Sequence, residues 1–122
     1  MGTDTTLEWF PESYWAWRLS AGSIGPDDAF TIMRTPDETT VITQDSEPPP
    51  PAEVSGPWIM FRIADKLPHD AVGILARLSA VLAEVRIPIL AFGSYDTDYV
   101  FVPQDRVGDA RSALTTAGYV NT

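Results

Sequence analysis

The sequence contains no cysteine among its 122 residues. This absence excludes disulfide scaffolds, thiolate zinc sites and cysteine nucleophiles. Basic residues are also scarce, since eight Lys and Arg stand against 17 Asp and Glu and give a formal net charge of −9. A phosphate-binding surface needs a basic patch to displace counterions. We therefore expect no nucleic-acid partner.

Long apolar runs are missing as well. No stretch approaches the ~20 apolar residues that a membrane-spanning helix needs, and no secretory signal stands at the start of the sequence. Met1-Gly2 fits the start of an N-myristoylation pattern, but no basic cluster follows to give a second membrane signal. We expect a soluble, cytoplasmic protein without a membrane partner.

A proline run divides the chain near its middle. Pro48–Pro51 cannot belong to a helix interior or a central strand, and it favours an extended spacer. We predict an N-terminal unit over 1–46, a linker over 47–56 and a C-terminal domain over 57–122. The charge divides similarly, because residues 1–55 carry ten acids and two bases, whereas residues 56–122 carry seven acids and six bases. The two halves therefore have different surfaces.

The C-terminal half predicts the order β-α-β-β-α-β. Alternating apolar residues indicate strands, and apolar residues at helical spacing indicate two amphipathic helices. Asp70 and Asp105 are candidate N-caps, and Gly118 is a natural residue to follow the second helix. The predicted segments are strands at 58–64, 87–92, 97–102 and 119–120, and helices at 71–85 and about 105–117. This order is that of an α+β, ferredoxin-like fold.

The N-terminal half predicts short strands without a long helix. The candidate strands are 7–10, 14–19, 30–34 and 39–43, separated by turn residues such as Pro11-Glu12-Ser13. Three of the four tryptophans lie here, at Trp9, Trp15 and Trp17. We expect them to fill a small β core, although Trp also anchors protein interfaces.

Two strings of the C-terminal half resemble the ACT domain family. Leu67–Leu82 and the following residues to Ile89 resemble its strand, Gly-containing loop, helix and second strand, with Gly73 and Ile87 as landmarks. Phe92–Val102 is similar to small bacterial ACT proteins related to the arginine-sensing CASTOR proteins, although Gly93-Ser94-Tyr95 departs from their pattern. The resemblance implies two ACT-like units in tandem, the first truncated, in a protein without catalytic activity that binds an amino acid.

The loop that enters the first helix of this half is a candidate carboxylate site. A helix start offers free N–H groups and the positive end of the helix dipole. We predict that the amides of Ala71, Val72 and Gly73 hold a ligand carboxylate, with His69 and Asp70 beside them. Alternatively, Asp70 is only an N-cap and Gly73 only a close helix–strand contact.

A carboxylate across the cleft is expected to bind the ligand's ammonium group. Asp96 and Asp98 are the candidates, and the ACT resemblance implies this role for Asp98. Gly93 and Ser94 are predicted to line the same cleft. On the alternative interpretation, both aspartates are only solvated residues at the entry of a strand.

The predicted function is therefore a non-catalytic, regulatory amino-acid-binding module, without a cofactor, that forms a homo-oligomer, most simply a homodimer. A metal site at Asp96, Asp98 and Asp105 is disfavoured because their spacing fits no EF-hand loop. The alternative function is a protein-interaction module that has lost ligand binding and uses its acidic N-terminal half to contact a basic partner. A small enzyme that uses His69 ranks last, because no nucleophile motif accompanies it.

Overall fold

The computed structural model describes residues 5–122, so Met1-Gly2 and the myristoylation pattern lie outside the described residues. Over that range it contains strands, two α-helices and one turn of 3₁₀ helix at Gln104–Arg106. The elements are β1 (Thr6–Ser20), β2 (Thr31–Arg34), β3 (Glu38–Thr43), β4 (Glu53–Ile63), α1 (Ile74–Glu84), β5 (Leu90–Gly93), β6 (Asp98–Pro103), α2 (Val107–Thr116) and β7 (Val120–Asn121). No helix within residues 5–122 combines the length and apolarity of a transmembrane segment.

The chain folds into two compact units. The helical unit comprises the chain up to Pro11 together with Ile59–Thr122, and the β unit comprises Glu12–Trp58. The proline run does not mark the boundary between the two units. β7 pairs in parallel with Thr6 and Leu7 of β1, so the start of β1 belongs to the helical unit. The boundaries predicted from composition, and two ACT units in tandem, stay predictions.

The helical unit has an α+β, ferredoxin-like architecture, but its sheet includes the first part of β1, which the sequence predicts for the N-terminal unit. Its strands follow the order β7-β1-β4-β6-β5, and β5 pairs antiparallel with β6. Both helices pack their apolar faces on this sheet. The buried residues of each helix are therefore four positions apart, at Leu78 and Leu82 in α1 and at Ala110 and Leu114 in α2. The buried core comprises Leu7, Phe61, Ile63, Leu78, Leu82, Ile87, Val100, Val102, Ala110, Leu114 and Tyr119.

The β unit consists of the second part of β1, the strands β2 and β3, and the start of β4. β3 pairs antiparallel with both β1 and β2. Its buried cluster is Trp17, Leu19 and Val41, with Trp15 among the partly buried residues packed on it. The prediction that tryptophans fill a small β core therefore holds for Trp17, which is 4% exposed.

Three predicted local features are wrong. β1 is one continuous strand, because Pro11 lies between the residues that pair with β7 and those that pair with β3 and breaks neither ladder. The strand predicted at 58–64 begins earlier, at Glu53, and forms β4. Neither Asp70 nor Asp105 caps a helix: Gly73 is the N-cap of α1, and α2 follows a 3₁₀ turn that contains Asp105.

The end of α2 agrees with the sequence prediction. Gly118 has a φ of 101°, in the left-handed region that glycine adopts at low cost. Its N–H donates to the carbonyl oxygen of Thr115 at 3.0 Å, and the N–H of Tyr119 donates to that of Leu114 at 3.0 Å. This turn ends the helix and directs the chain into β7.

Candidate functional site

A cavity of about 400 Å³ opens in the helical unit between the loop before α1 and the turn that joins β5 to β6. We call it the loop cavity. It brings together two segments that are well separated in sequence. Of the residues predicted to bind ligand, six line it: His69, Ala71, Gly73, Ser94, Asp96 and Asp98.

The remaining predicted residues do not line the loop cavity. The side chain of Val72 is 86% exposed, and Asp70 is also exposed. Gly93 lies behind Asp98: a Cβ at position 93 would lie 3.3 Å from Oδ1 of Asp98. Gly93 therefore leaves room for that carboxylate and is not itself part of the cavity wall.

The start of α1 supplies the backbone donors of the cavity. Gly73 has a φ of 81°, a left-handed conformation that favours glycine, and the helix begins at Ile74. The first N–H groups of a helix have no partner within it. Ile74, Leu75 and Ala76 carry these groups, and all three residues line the cavity.

This geometry shifts the predicted carboxylate site along the chain. The N–H of Ala71 is already used, because it donates to the carbonyl oxygen of Pro68 at 3.1 Å. The N–H groups at the start of the helix, those of Ile74–Ala76, line the cavity together with Gly73, whereas Val72 does not line it. These N–H groups could not be identified from the sequence because the helix is predicted to begin at residue 71. Gly73, directly before an apolar run, is the signal that could have placed the start of the helix correctly.

Hydrogen bonds fix the turn opposite the helix start. The Ser94 hydroxyl donates to the carbonyl oxygen of Thr97 at 2.9 Å and accepts the Thr97 N–H at 3.2 Å. The buried Thr97 hydroxyl donates to the carbonyl oxygen of Ile63 at 2.8 Å, which attaches the start of β6 to the end of β4. Ser94 therefore shapes the cavity wall, with its own hydroxyl bonded within the turn.

Two further contacts join the walls of the cavity. Nε2 of His69 lies 2.7 Å from the carbonyl oxygen of Tyr95, and the two rings pack edge to face at 4.3 Å. The Leu67 N–H donates to the carbonyl oxygen of Asp96 at 2.8 Å. The loop before α1 is thus attached to the β5–β6 turn at two points, and these contacts set the width of the cavity.

The two predicted ammonium acceptors differ in their surroundings. Asp96 is exposed, and its Oδ1 lies 3.6 Å from Nζ of Lys66. Asp98 is partly buried, and no ion pair reaches it within the described residues. A partly buried carboxylate without a cationic partner favours a ligand that brings a positive charge. Between residues 5 and 122, no cluster of His, Asp and Glu has the geometry of a metal site, and Asp105 lies in the 3₁₀ turn.

Solved structures with the same fold cover almost the whole chain. A protein from Agrobacterium tumefaciens is 24% identical with a TM-score of 0.87, over 99% of this chain and 94% of its own. A Vibrio cholerae protein of unknown function is 19% identical with a TM-score of 0.76, over 94% and 91%. The aspartokinase α and β subunits are 13% identical with a TM-score of 0.69, over 94% and 98%.

At these identities the likeness shows the fold alone, and no curated protein matches the chain. The match to a sequence family is more specific. It covers residues 53–116, from the first residue of β4 to the last residue of α2, and so includes both walls of the loop cavity. This segment is an ACT domain, and the chain belongs to the ACT domain family.

Proposed function

We propose that this chain is a non-catalytic regulatory protein that binds an amino acid, or a similar zwitterion, in the loop cavity. ACT domains are regulatory domains that bind small molecules such as amino acids. The observation that carries the proposal is the convergence of six predicted ligand residues around one cavity. Its volume of about 400 Å³ lies within the usual range for small-molecule sites.

The chemistry of the two walls suits the two ends of an amino acid. The ligand carboxylate accepts hydrogen bonds from the N–H groups of Ile74–Ala76, where the helix dipole adds a favourable positive potential. The ligand ammonium pairs with Asp98 on the opposite wall. Asp96 and His69 lie near the entrance, where a longer or basic ligand side chain would meet them.

The finer parts of the proposal follow from the resemblance seen in the sequence. We infer a protein similar to the small CASTOR-related ACT proteins, with tandem ACT-like units and no catalytic activity, that acts as a homodimer in the cytoplasm. The ligand then regulates the protein by shifting the equilibrium between two of its arrangements. Such a shift requires that the ligand binds one arrangement more tightly than the other.

Thermal unfolding with each of the twenty standard amino acids tests the proposal. A ligand at 100 times its dissociation constant adds ~2.7 kcal/mol to the free energy of unfolding. Asp98→Asn removes the ammonium partner with little change in shape, and we expect it to abolish the increase in melting temperature. Asp105→Asn, outside the cavity, is the matched control and keeps the increase. The proposal is wrong if no amino acid raises the melting temperature, or if both variants respond alike.

A second candidate function rests on the β unit. Its residues 12–58 carry eight acids and two bases. They also line a cavity of about 730 Å³ whose apolar wall includes Pro49–Pro51 and whose acids are Asp45, Glu47 and Glu53. Acids beside apolar surface favour a basic protein segment as partner. Salt-dependent capture of such a partner, lost in Glu47→Gln/Glu53→Gln and kept in Asp98→Asn, would support this function over amino-acid binding.

A further inference from the structure

A second cavity of the helical unit, about 690 Å³ in volume, lies next to the loop cavity and shares Leu67 and Ile74 with it. We call it the helix cavity. Most of its wall is apolar, with Ile63, Leu67, Ile74 and Val81 among the lining side chains. Its charged and hydrogen-bonding side chains include Asp65, Arg77 and Tyr119. Neither the sequence motifs nor the proposed amino-acid site uses these three residues.

Tyr119 brings a hydroxyl donor to this cavity. The residue is 9% exposed, and its hydroxyl forms no hydrogen bond with another described residue. Burial raises the pKa of Tyr119 above its ordinary value, although the charge of Arg77 acts in the opposite direction. The phenol is therefore protonated near neutral pH, and it has an O–H group to donate.

Arg77 brings a positive charge to the same place. Its guanidinium forms no ion pair or side-chain hydrogen bond among residues 5–122. This distinguishes it from Arg62 and Arg106, which pair with Glu8 and Asp109. It lines the same cavity as Tyr119, and it is exposed to solvent. The cavity lining therefore includes a guanidinium and a phenol, and neither side chain forms an ion pair or hydrogen bond with another described residue.

We propose that the helix cavity is a second ligand site, and that it binds a small amphiphilic carboxylate. The carboxylate accepts hydrogen bonds from Arg77 and from the hydroxyl of Tyr119, while the hydrocarbon part lies on the aliphatic wall. Asp65 is exposed at the same cavity, and its negative charge opposes an anion there. The guanidinium of Arg77 is the positive group of this lining, and it favours an anionic acceptor such as a carboxylate.

Isothermal titration of the full-length protein with sodium octanoate tests this site. Octylammonium, with the same hydrocarbon chain and the opposite charge, is the ligand control. We expect octanoate to bind and octylammonium not to bind. Arg77→Gln is expected to weaken octanoate by at least about tenfold, as befits the loss of a charged hydrogen bond. Arg86→Gln is the matched control, because Arg86 is also an exposed arginine but lies outside the cavity, and we expect it to keep the affinity.

Two further variants test the contacts of the bound carboxylate one at a time. Tyr119→Phe removes only the hydroxyl and is expected to weaken octanoate by about tenfold or more, because the lost hydrogen bond has an ionised acceptor. Asp65→Asn removes the opposing charge and is expected to strengthen octanoate, whereas a zwitterion site would be weakened by it. Asp98 lies outside the helix cavity, so we expect Asp98→Asn to leave octanoate binding unchanged. A failure of the octanoate proposal can therefore be distinguished from a failure of the amino-acid proposal. Absence of octanoate binding, equal binding of octylammonium, or unchanged affinity in Arg77→Gln would each overturn the inference.

Discussion

Nε2 of His69 lies 2.7 Å from the carbonyl oxygen of Tyr95 and joins the loop before α1 to the turn between β5 and β6. The imidazole packs against the Tyr95 ring as well, at a centroid distance of 4.3 Å. His69 is the only histidine of the chain. Its contacts are structural in kind, since they span the loop cavity and hold its two walls together. These contacts give no support to a role of His69 as a catalytic base.

The first prediction is that His69→Ala loosens the loop cavity without unfolding the protein. One exposed hydrogen bond contributes no more than about 1 kcal/mol to the free energy of unfolding. We expect faster amide hydrogen exchange in residues 94–97 and in the loop before α1. Asp70→Ala is the control, because Asp70 is a neighbouring exposed residue that neither lines the cavity nor caps the helix. Equal exchange in the two variants would contradict the role given to His69.

The second prediction compares two buried threonines. The hydroxyl of Thr97 donates to the carbonyl oxygen of Ile63, whereas Oγ1 of Thr39 is buried and has no hydrogen-bond partner among residues 5–122. Thr97→Val leaves that carbonyl without its donor and is expected to lower the free energy of unfolding by about 1–3 kcal/mol. Thr39→Val removes an unsatisfied hydroxyl and is expected to raise it by up to about 1 kcal/mol. Urea unfolding measures both, and equal losses would show the hydrogen-bond argument to be wrong.

Much of the helical unit could be predicted from the sequence, because the spacing of apolar residues reports directly which side of an element is buried. Leu78 and Leu82 follow the helical period and are both fully buried. The start of α1 could not be placed in this way. It depends on the left-handed φ of Gly73, which is a backbone property that residue spacing does not reveal.

The two candidate sites also differ in how far the sequence could predict them. The loop cavity could be predicted because each of its walls is a short continuous segment next to a recognisable element. The helix cavity could not, because Arg77 and Tyr119 come from different elements, and only the packing of α1 against the end of the chain brings them together. The single long β1 was missed for a related reason: Pro11 signals a turn locally, but strand pairing on either side of it keeps the chain extended.

The third prediction concerns Gly56 in the β unit. Its φ is 140°, and a Cβ there would lie 2.7 Å from Cδ1 of Trp15 and 2.9 Å from the carbonyl oxygen of Tyr14. Gly56→Ala therefore combines backbone strain with overlap against atoms that cannot easily move, and we expect a loss of at least about 2 kcal/mol. Gly108→Ala is the matched control, since nothing lies within 4 Å of its Cβ and Ala is favoured in a helix by about 0.5–1 kcal/mol. Thermal unfolding should separate the two variants in opposite directions.

The fourth prediction is a loss of stability at high pH that depends on Tyr119. Burial raises the pKa of this phenol in the folded protein above the value of 10.0 that it has when unfolded. Between these two pKa values the folded state binds more protons than the unfolded state, so the free energy of unfolding falls as pH rises. The stabilisation is complete below pH 10 and is lost progressively above it. Urea unfolding at a series of pH values from about 9 upwards measures this slope.

Tyr119→Phe removes the titrating group and should flatten that slope, whereas Tyr95→Phe, which removes a phenol that is 79% exposed, should retain it. Octanoate provides a second test of the same group. If the carboxylate accepts a hydrogen bond from the Tyr119 hydroxyl, its presence stabilises the protonated phenol and moves the onset of the loss to higher pH. An onset that octanoate leaves unchanged, together with unaltered octanoate affinity in Tyr119→Phe, would remove Tyr119 from the helix cavity's ligand contacts and leave Arg77 as the single anchor.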